Sequence, residues 1–345
     1  MTRTAPTVEL LQVEPTTRCN FTCGFCAGRA MPQRDLDPAL FSRALASFPA
    51  LRHVELQGEG ESLMHPEFLS LVGSAREKGI KVSFITNGSL LGAEAIERLF
   101  AVGVEKISVS IESADADTFR SIRGGRLDKV ERNLGALLDE RRRRGLDRPV
   151  VGLSVTVLRS TQDHLAGIVA LYERLGLDGG ITVQPLERKD DYARHYDAKT
   201  AADLLSPREV ETAWIRARTD RSLLAIEARR PPVRGFFDEL MEGWEPGCRR
   251  CPWLDRGLYL GNQGHAAPCC MVKDVAAHAF GRLGSDGVEA ILAGREHLRA
   301  KLAAGEIPAA CAGCDLAHFA ITPKWKLVRV ALRGVWNRLF GRLPE

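Results

Sequence analysis

The sequence predicts an α/β protein, a partial (βα)6 TIM-like barrel followed by a small C-terminal α+β unit. Three observations carry this. Six short apolar runs alternate with longer amphipathic stretches between residues 8 and 186. Most of the runs end in polar or glycine-rich residues, and nine cysteines fall at the two ends of the chain, with none between Cys26 and Cys248.

The strand candidates and the stretches after them are, in order, VELLQV with 38–48, HVELQ with 66–78, KVSFIT with 92–102, KISVSI with 115–144, VGLSVTVL with 162–175, and ITVQPL. Right-handed crossovers curl such a series into an open barrel. Chemistry then belongs at the C-terminal strand ends, here Glu14-Pro15-Thr16, Gln57-Gly58-Glu59-Gly60-Glu61, Thr86-Asn87-Gly88, Glu112-Ser113 and Gln184-Pro185. Residues 1–186 form the barrel by this reading, and 187–246 a less regular linker or lid broken at Pro231-Pro232. Residues 247–316 carry six cysteines. The stretch GLYLGNQGHAAPC reads as two strands around an Asn262-Gln263-Gly264 turn, and 285–306 as a helix returning to Cys311. The basic amphipathic tail, 317–345, reads as a helix docked on the body, in preference to a membrane-surface or partner helix.

Composition narrows the function. The 345 residues are 45% hydrophobic with a formal charge of +4. That charge is mild, and beyond Arg141 to Arg144 no basic tract stands out, so nucleic acid is not expected as a partner. No signal-peptide run and no stretch of about 18 apolar residues is present, which predicts a cytoplasmic protein. Nine cysteines in a reducing compartment then point to metal rather than disulfides.

Cys19, Cys23 and Cys26 lie within eight residues, directly after the first strand. Three thiolates at this spacing can wrap an iron–sulfur cube, whereas zinc would want a fourth ligand nearby. His53 and His65, the nearest histidines, read as surface or packing residues.

This Cys-x3-Cys-x2-Cys pattern, with Phe25 before the last cysteine, resembles the hallmark of the radical S-adenosylmethionine (SAM) superfamily. The resemblance implies a 4Fe-4S cluster whose open iron binds the amino and carboxylate groups of SAM. It also implies reductive cleavage of SAM to a 5′-deoxyadenosyl radical, which takes a hydrogen atom from substrate. Gly58, Gly60 and Glu61 resemble the family's Gly-x-Gly-Glu-Pro segment around the SAM ammonium, with Ser62 where proline is usual. By the same resemblance Asn87 occupies a family position, Ser110 and Glu112 face the ribose or methionine part, Arg123 pairs with the carboxylate, and Val157 and Leu158 pack on adenine. Without the family, Asn87-Gly88 is a turn and Arg123 a solvated charge.

The C-terminal cysteines resemble the SPASM auxiliary-cluster extension in its shortened twitch form. The resemblance implies a second 4Fe-4S cluster on Cys251, Cys269, Cys311 and Cys314. A four-thiolate zinc ribbon is the competing reading. Cys248 and Cys270 are left over, either as buried thiols, substitute ligands, or catalytic hydrogen donors.

The expected activity is that of an oxidoreductase, dehydrogenating a small polar substrate of sugar or aminocyclitol kind while the auxiliary cluster accepts an electron. A flavodoxin- or ferredoxin-type donor is the implied partner. The alternatives are a maturase or epimerase acting on a ribosomally made peptide, and a non-catalytic metal-binding scaffold. The charge run Glu187, Arg188, Lys189 and Asp190 reads as a solvated loop within reach of substrate.

Overall fold

The computed structural model describes residues 7–229 and 233–322. Six parallel strands appear where the apolar runs predict them: β1 (Leu10–Val13), β2 (His53–Leu56), β3 (Lys81–Thr86), β4 (Lys106–Ser110), β5 (Val150–Val157) and β6 (Ile181–Pro185). Each pairs in parallel with the next. The crossovers are α1 (Pro38–Ser47), α2 (Phe68–Arg76), α3 (Ala93–Val102), α4 (Ala116–Arg123), α5 (Leu127–Arg143) and α6 (Leu165–Leu175). Local chemistry sets their ends. Asp37 accepts a hydrogen bond from the Ala39 amide with Pro38 in the first turn, and Gly103 and Gly176 stop α3 and α6 in left-handed conformations.

The stretch 115–144, read as one amphipathic segment, is two helices. Gly124 ends α4 at φ +72°. A Cβ there would lie 2.1 Å from Thr22 Oγ1, and one on Gly125 would lie 2.1 Å from Phe21 Cζ. The break makes room for the Phe21 and Thr22 side chains that follow Cys19.

Strand periodicity divides the sheet into two unlike faces. Leu11, Val13, Val54, Leu56, Val82, Phe84, Ile107 and Val109 are fully buried and join Phe41, Leu71, Leu99 and Leu134 of the helices in the main core. The alternate residues on the concave face are, apart from Leu10 and Ile85, mostly polar, among them Gln12, Glu14, His53, Glu55, Ser83, Ser108, Ser110, Ser154, Thr156, Thr182 and Gln184. From Ser108 to Gln184 these are half-buried or exposed, whereas Gln12, Glu14, His53, Glu55 and Ser83 are buried.

After β6 come α7 (Asp190–Ala193), α8 (Ala198–Ala202), α9 (Pro207–Thr219), α10 (Arg221–Arg229) and α11 (Phe236–Leu240). The α9 helix packs on β6. Glu239 of α11 reaches the barrel base, 3.3 Å from His53 Nδ1 and 3.2 Å from Lys81 Nζ, with Arg52 paired to its other oxygen. The Pro231-Pro232 break lies outside the described residues, as does the tail from residue 323 onward.

α12 (Pro252–Asp255) leads to β7 (Gly257–Leu260) and β8 (His265–Ala267), which form the expected antiparallel hairpin. Unforeseen in the sequence, β7 also pairs in parallel with β1, and β9 (Gly281–Arg282) adds to β8. The result is one nine-stranded sheet in the order β6-β5-β4-β3-β2-β1-β7-β8-β9. α13 (Val275–His278) and α14 (Val288–Ala303) follow, the latter inside the predicted 285–306, and α15 (Asp315–Ile321) ends the described chain. No helix among the described residues is long and apolar enough to cross a membrane.

Candidate active site

The loop after β1 holds Cys19, Cys23 and Cys26, each beside a different part of the barrel. The Asn87 Nδ2 group lies 3.9 Å from Cys19 Sγ, the Arg123 guanidinium 3.8 Å from Cys23 Sγ, and the Glu59 carbonyl oxygen 3.4 Å from Cys26 Sγ. The loop is pinned by Thr22 N–H to Arg123 O at 3.0 Å and Gly24 N–H to Ile122 O at 3.3 Å. Burial raises all three thiol pKa values, Cys23 to about 11. Cys19 adds a repulsive push to Cys23 and Cys26, so thiolates here need positive charge between them.

The strand-end residues converge on the same loop, but mainly through one another. Gly60 N–H donates to Thr16 O at 3.1 Å and Glu61 N–H to Arg18 O at 2.8 Å. A Cβ on Gly60 would lie 2.3 Å from Thr16 O, and one on Gly58 would lie 2.2 Å from Glu14 Cγ. These glycines admit the protein's own cysteine loop and the Glu14 side chain. The buried Glu61 carboxylate accepts from Thr86 Oγ1 at 2.6 Å, Asn87 N–H at 2.7 Å and Leu63 N–H at 3.2 Å, leaving about one lone-pair site for anything else. Asn87 Nδ2 donates to Asn20 Oδ1 at 2.9 Å.

Glu112 and Arg123 form a buried two-pronged ion pair, one prong 2.6 Å long, and the Arg123 guanidinium stands 5.7 Å from the centre of the Phe25 ring. Arg123 is thus a buried partner of Glu112 rather than a solvated charge. Ser110 sits half-buried on the concave face beside Ser154. Val157 turns the other way and lines a small cavity of ≈ 40 Å³ with Leu165 and Ile168 of α6, on the helix side of the sheet. Leu158 is buried.

In the C-terminal region Cys251, Cys269, Cys311 and Cys314 come within electrostatic reach of one another. Leu254, Leu302, Ala317 and Ala320 form a small core against three of them. Burial first, then this mutual repulsion, pushes the Cys251 and Cys311 thiols up to about 12. Cys270 pushes the Cys269 thiol up as well, and its own electrostatic neighbours include Lys273, Glu59 and Glu187. Cys248 Sγ lies 3.6 Å from the Arg250 carbonyl oxygen.

The charge run after β6 differs from its reading as a solvated loop. The Lys189 side chain is 5% exposed and paired with Asp191 at 2.5 Å, and its Cα lies 3.7 Å from where a Gly313 Cβ would stand. Burial, and then Asp315, raises the Glu187 carboxyl. Glu187 and Lys189 therefore lie near the Cys311–Cys314 turn.

Between the two cysteine groups lie Glu14, Glu59, Tyr192, Tyr259 and Lys273, a buried cluster whose assembly the sequence did not announce. Glu14 and Glu59 stand among the polar strand ends, a usable signal. Lys273 has none.

Residues 13–171 match the family model described as the radical SAM superfamily. This stretch belongs to the radical SAM superfamily. The chain is 27% identical over 181 residues to a tungsten-containing aldehyde ferredoxin oxidoreductase cofactor-modifying protein of Pyrococcus furiosus, covering 50% of each. It thus spans half the length of that relative. A PqqA peptide cyclase of Ruegeria pomeroyi is 24% identical over 327 residues, 90% of this chain and 81% of that protein. In fold, the chain is similar to Streptococcus suis SuiB bound to precursor peptide SuiA, with TM-score 0.63 and 14% identity over 91% of this chain and 71% of that one.

The radical SAM family implies a 4Fe-4S cluster and SAM. The donors fit. Among the described residues no three His, Cys, Asp or Glu groups are close enough to hold a single metal ion. The thiolates of an iron–sulfur cube bind different irons and need no such closeness. Cys19, Cys23 and Cys26 would hold the cluster.

Proposed function

We propose that this chain is a radical SAM oxidoreductase that removes hydrogen from a polar substrate. Bound here, the cluster and SAM would supply a reducing electron and a 5′-deoxyadenosyl radical able to take a hydrogen atom from an unactivated C–H bond. Cys251, Cys269, Cys311 and Cys314 would hold a second 4Fe-4S cluster that accepts an electron from the substrate, and the first would be recharged by a flavodoxin- or ferredoxin-type donor.

The observation that carries the reading is the concave face. Ser108, Ser110, Ser154, Thr156, Thr182 and Gln184 line it without a charge and remain half-buried or exposed. Such a surface suits a sugar- or aminocyclitol-like molecule, whose hydroxyls exchange water for protein hydrogen bonds at little net cost.

Likeness to a PqqA peptide cyclase along 90% of the chain favours a second reading, modification of a peptide side chain. The products differ: dehydrogenation of an alcohol yields a carbonyl, whereas epimerisation through a thiol such as Cys270 brings solvent deuterium into the product.

Anaerobic reconstitution with iron and sulfide tests the assignment. The wild-type chain should form 5′-deoxyadenosine from SAM under reducing conditions, and the Cys19→Ala/Cys23→Ala/Cys26→Ala variant should not, while keeping roughly four irons per chain. A wild-type chain that never cleaves SAM would make it a metal-binding scaffold instead.

A further inference from the structure

We propose that Lys273 is a positioning residue that ties the C-terminal cysteine region to the first cysteine loop through Glu59. Lys273 follows β8 by six residues and Cys269 by four. Its side chain is 5% exposed, and its Nζ lies 2.5 Å from Glu59 Oε1 in a carboxylate only 6% exposed. The ammonium also stands 4.9 Å from the centre of the Tyr192 ring and 5.8 Å from that of Tyr259, so two aromatic faces replace part of the lost water.

Glu59 is where three chain segments meet. Its N–H donates to Glu14 Oε1 at 2.9 Å, its Oε1 accepts from the Tyr192 hydroxyl at 2.5 Å, and its carbonyl and Oε2 face Cys26 Sγ at 3.4 and 3.6 Å. Gly60 and Glu61, the next two residues, make the backbone hydrogen bonds to Thr16 and Arg18 that seat the cysteine loop.

Without Lys273, the adjacent buried Glu14 and Glu59 carboxylates would face one another unneutralised. A hydrophobic contact would hold the two regions together as well, but would not dictate where the Glu59 carboxylate points. A single ammonium arriving from the hairpin does. Glu59 thereby takes its pose, and the 59–61 loop its register, only when the C-terminal region is folded against the barrel.

This tie does not depend on SAM cleavage, and amide hydrogen exchange on the full reconstituted chain tests it directly. Lys273→Met should speed exchange at Gly60 and Glu61 by at least about tenfold while amides in β3 and β4 keep wild-type protection. Lys273→Arg, which preserves the charge, should restore most of that protection. If Lys273→Met does not fold, Glu59→Gln/Lys273→Met removes both buried charges, and it should show the same local loss. Lys273→Met should also raise KM for SAM with a smaller change in kcat, because the loop is displaced rather than the chemistry removed. Unchanged protection at 59–61 in a folded charge-removing variant would overturn the proposal, as would a uniform loss across all strands or no recovery in Lys273→Arg.

Discussion

Arg123, the last residue of α4, grips Glu112 through two guanidinium nitrogens while a third lies 3.8 Å from the Cys23 sulfur. The Glu112 side chain is completely buried and that of Arg123 is 8% exposed. One arginine thus neutralises a carboxylate under the cysteine loop and turns its remaining edge toward a thiol.

Breaking this pair leaves a charge stranded in the core. Arg123→Met should cost about 3–5 kcal/mol, read as a lower urea midpoint. Glu112→Gln/Arg123→Met should cost clearly less than the sum of the single changes, because the double variant strands no charge.

Two glycines should respond oppositely to alanine. A Cβ on Gly60 would lie 2.3 Å from Thr16 O and 2.6 Å from Arg18 O, with only backbone to give way. Gly60→Ala should destabilise by more than about 2 kcal/mol and lower iron retention. Gly73, within α2, has nothing within 4 Å of where an added methyl would stand. Gly73→Ala should stabilise by about 0.5–1 kcal/mol. Thermal unfolding of the two variants side by side decides both.

Glu239 should make stability fall in acid. Burial alone would raise its carboxyl, but His53, Lys81 and Arg52 hold it down to about 2, below its ordinary 4.5. A depressed carboxylate contributes fully above its unfolded pKa and loses that contribution as pH falls through its folded one. The Glu239→Gln penalty should be on the order of 2 kcal/mol at pH 7, with Arg52 and Lys81 partly solvated. It should shrink by more than half by pH 3. Denaturant titrations at the two pH values give the comparison.

The C-terminal cysteines should separate by iron content. Replacing Cys251, Cys269, Cys311 and Cys314 with alanine should leave roughly four irons per chain with SAM cleavage retained and substrate oxidation lost. Cys248→Ala should keep the full wild-type iron complement, since its sulfur sits against the Arg250 carbonyl. Iron and labile-sulfide assays check each variant.

Six strands, their order, the Cys19–Cys26 loop and the β7–β8 hairpin were legible in the sequence because each is written locally. A period of two, an apolar run or a cysteine spacing depends on residues a few positions apart. Even the polar concave face follows from alternation along β4 to β6. What tertiary structure alone decided are contacts between residues far apart in the chain. Gly124 and Gly125 break a continuous amphipathic stretch because Thr22 and Phe21 occupy the space a side chain would need. The β7 strand continues the barrel sheet because β1 offers it a free parallel edge. Arg123, readable as a solvated charge, is drawn inward by Glu112. Lys273 carries no local signature at all. A buried ammonium is tolerable only where Glu59 and two tyrosines already wait, and that juxtaposition exists only once the hairpin has closed against β1.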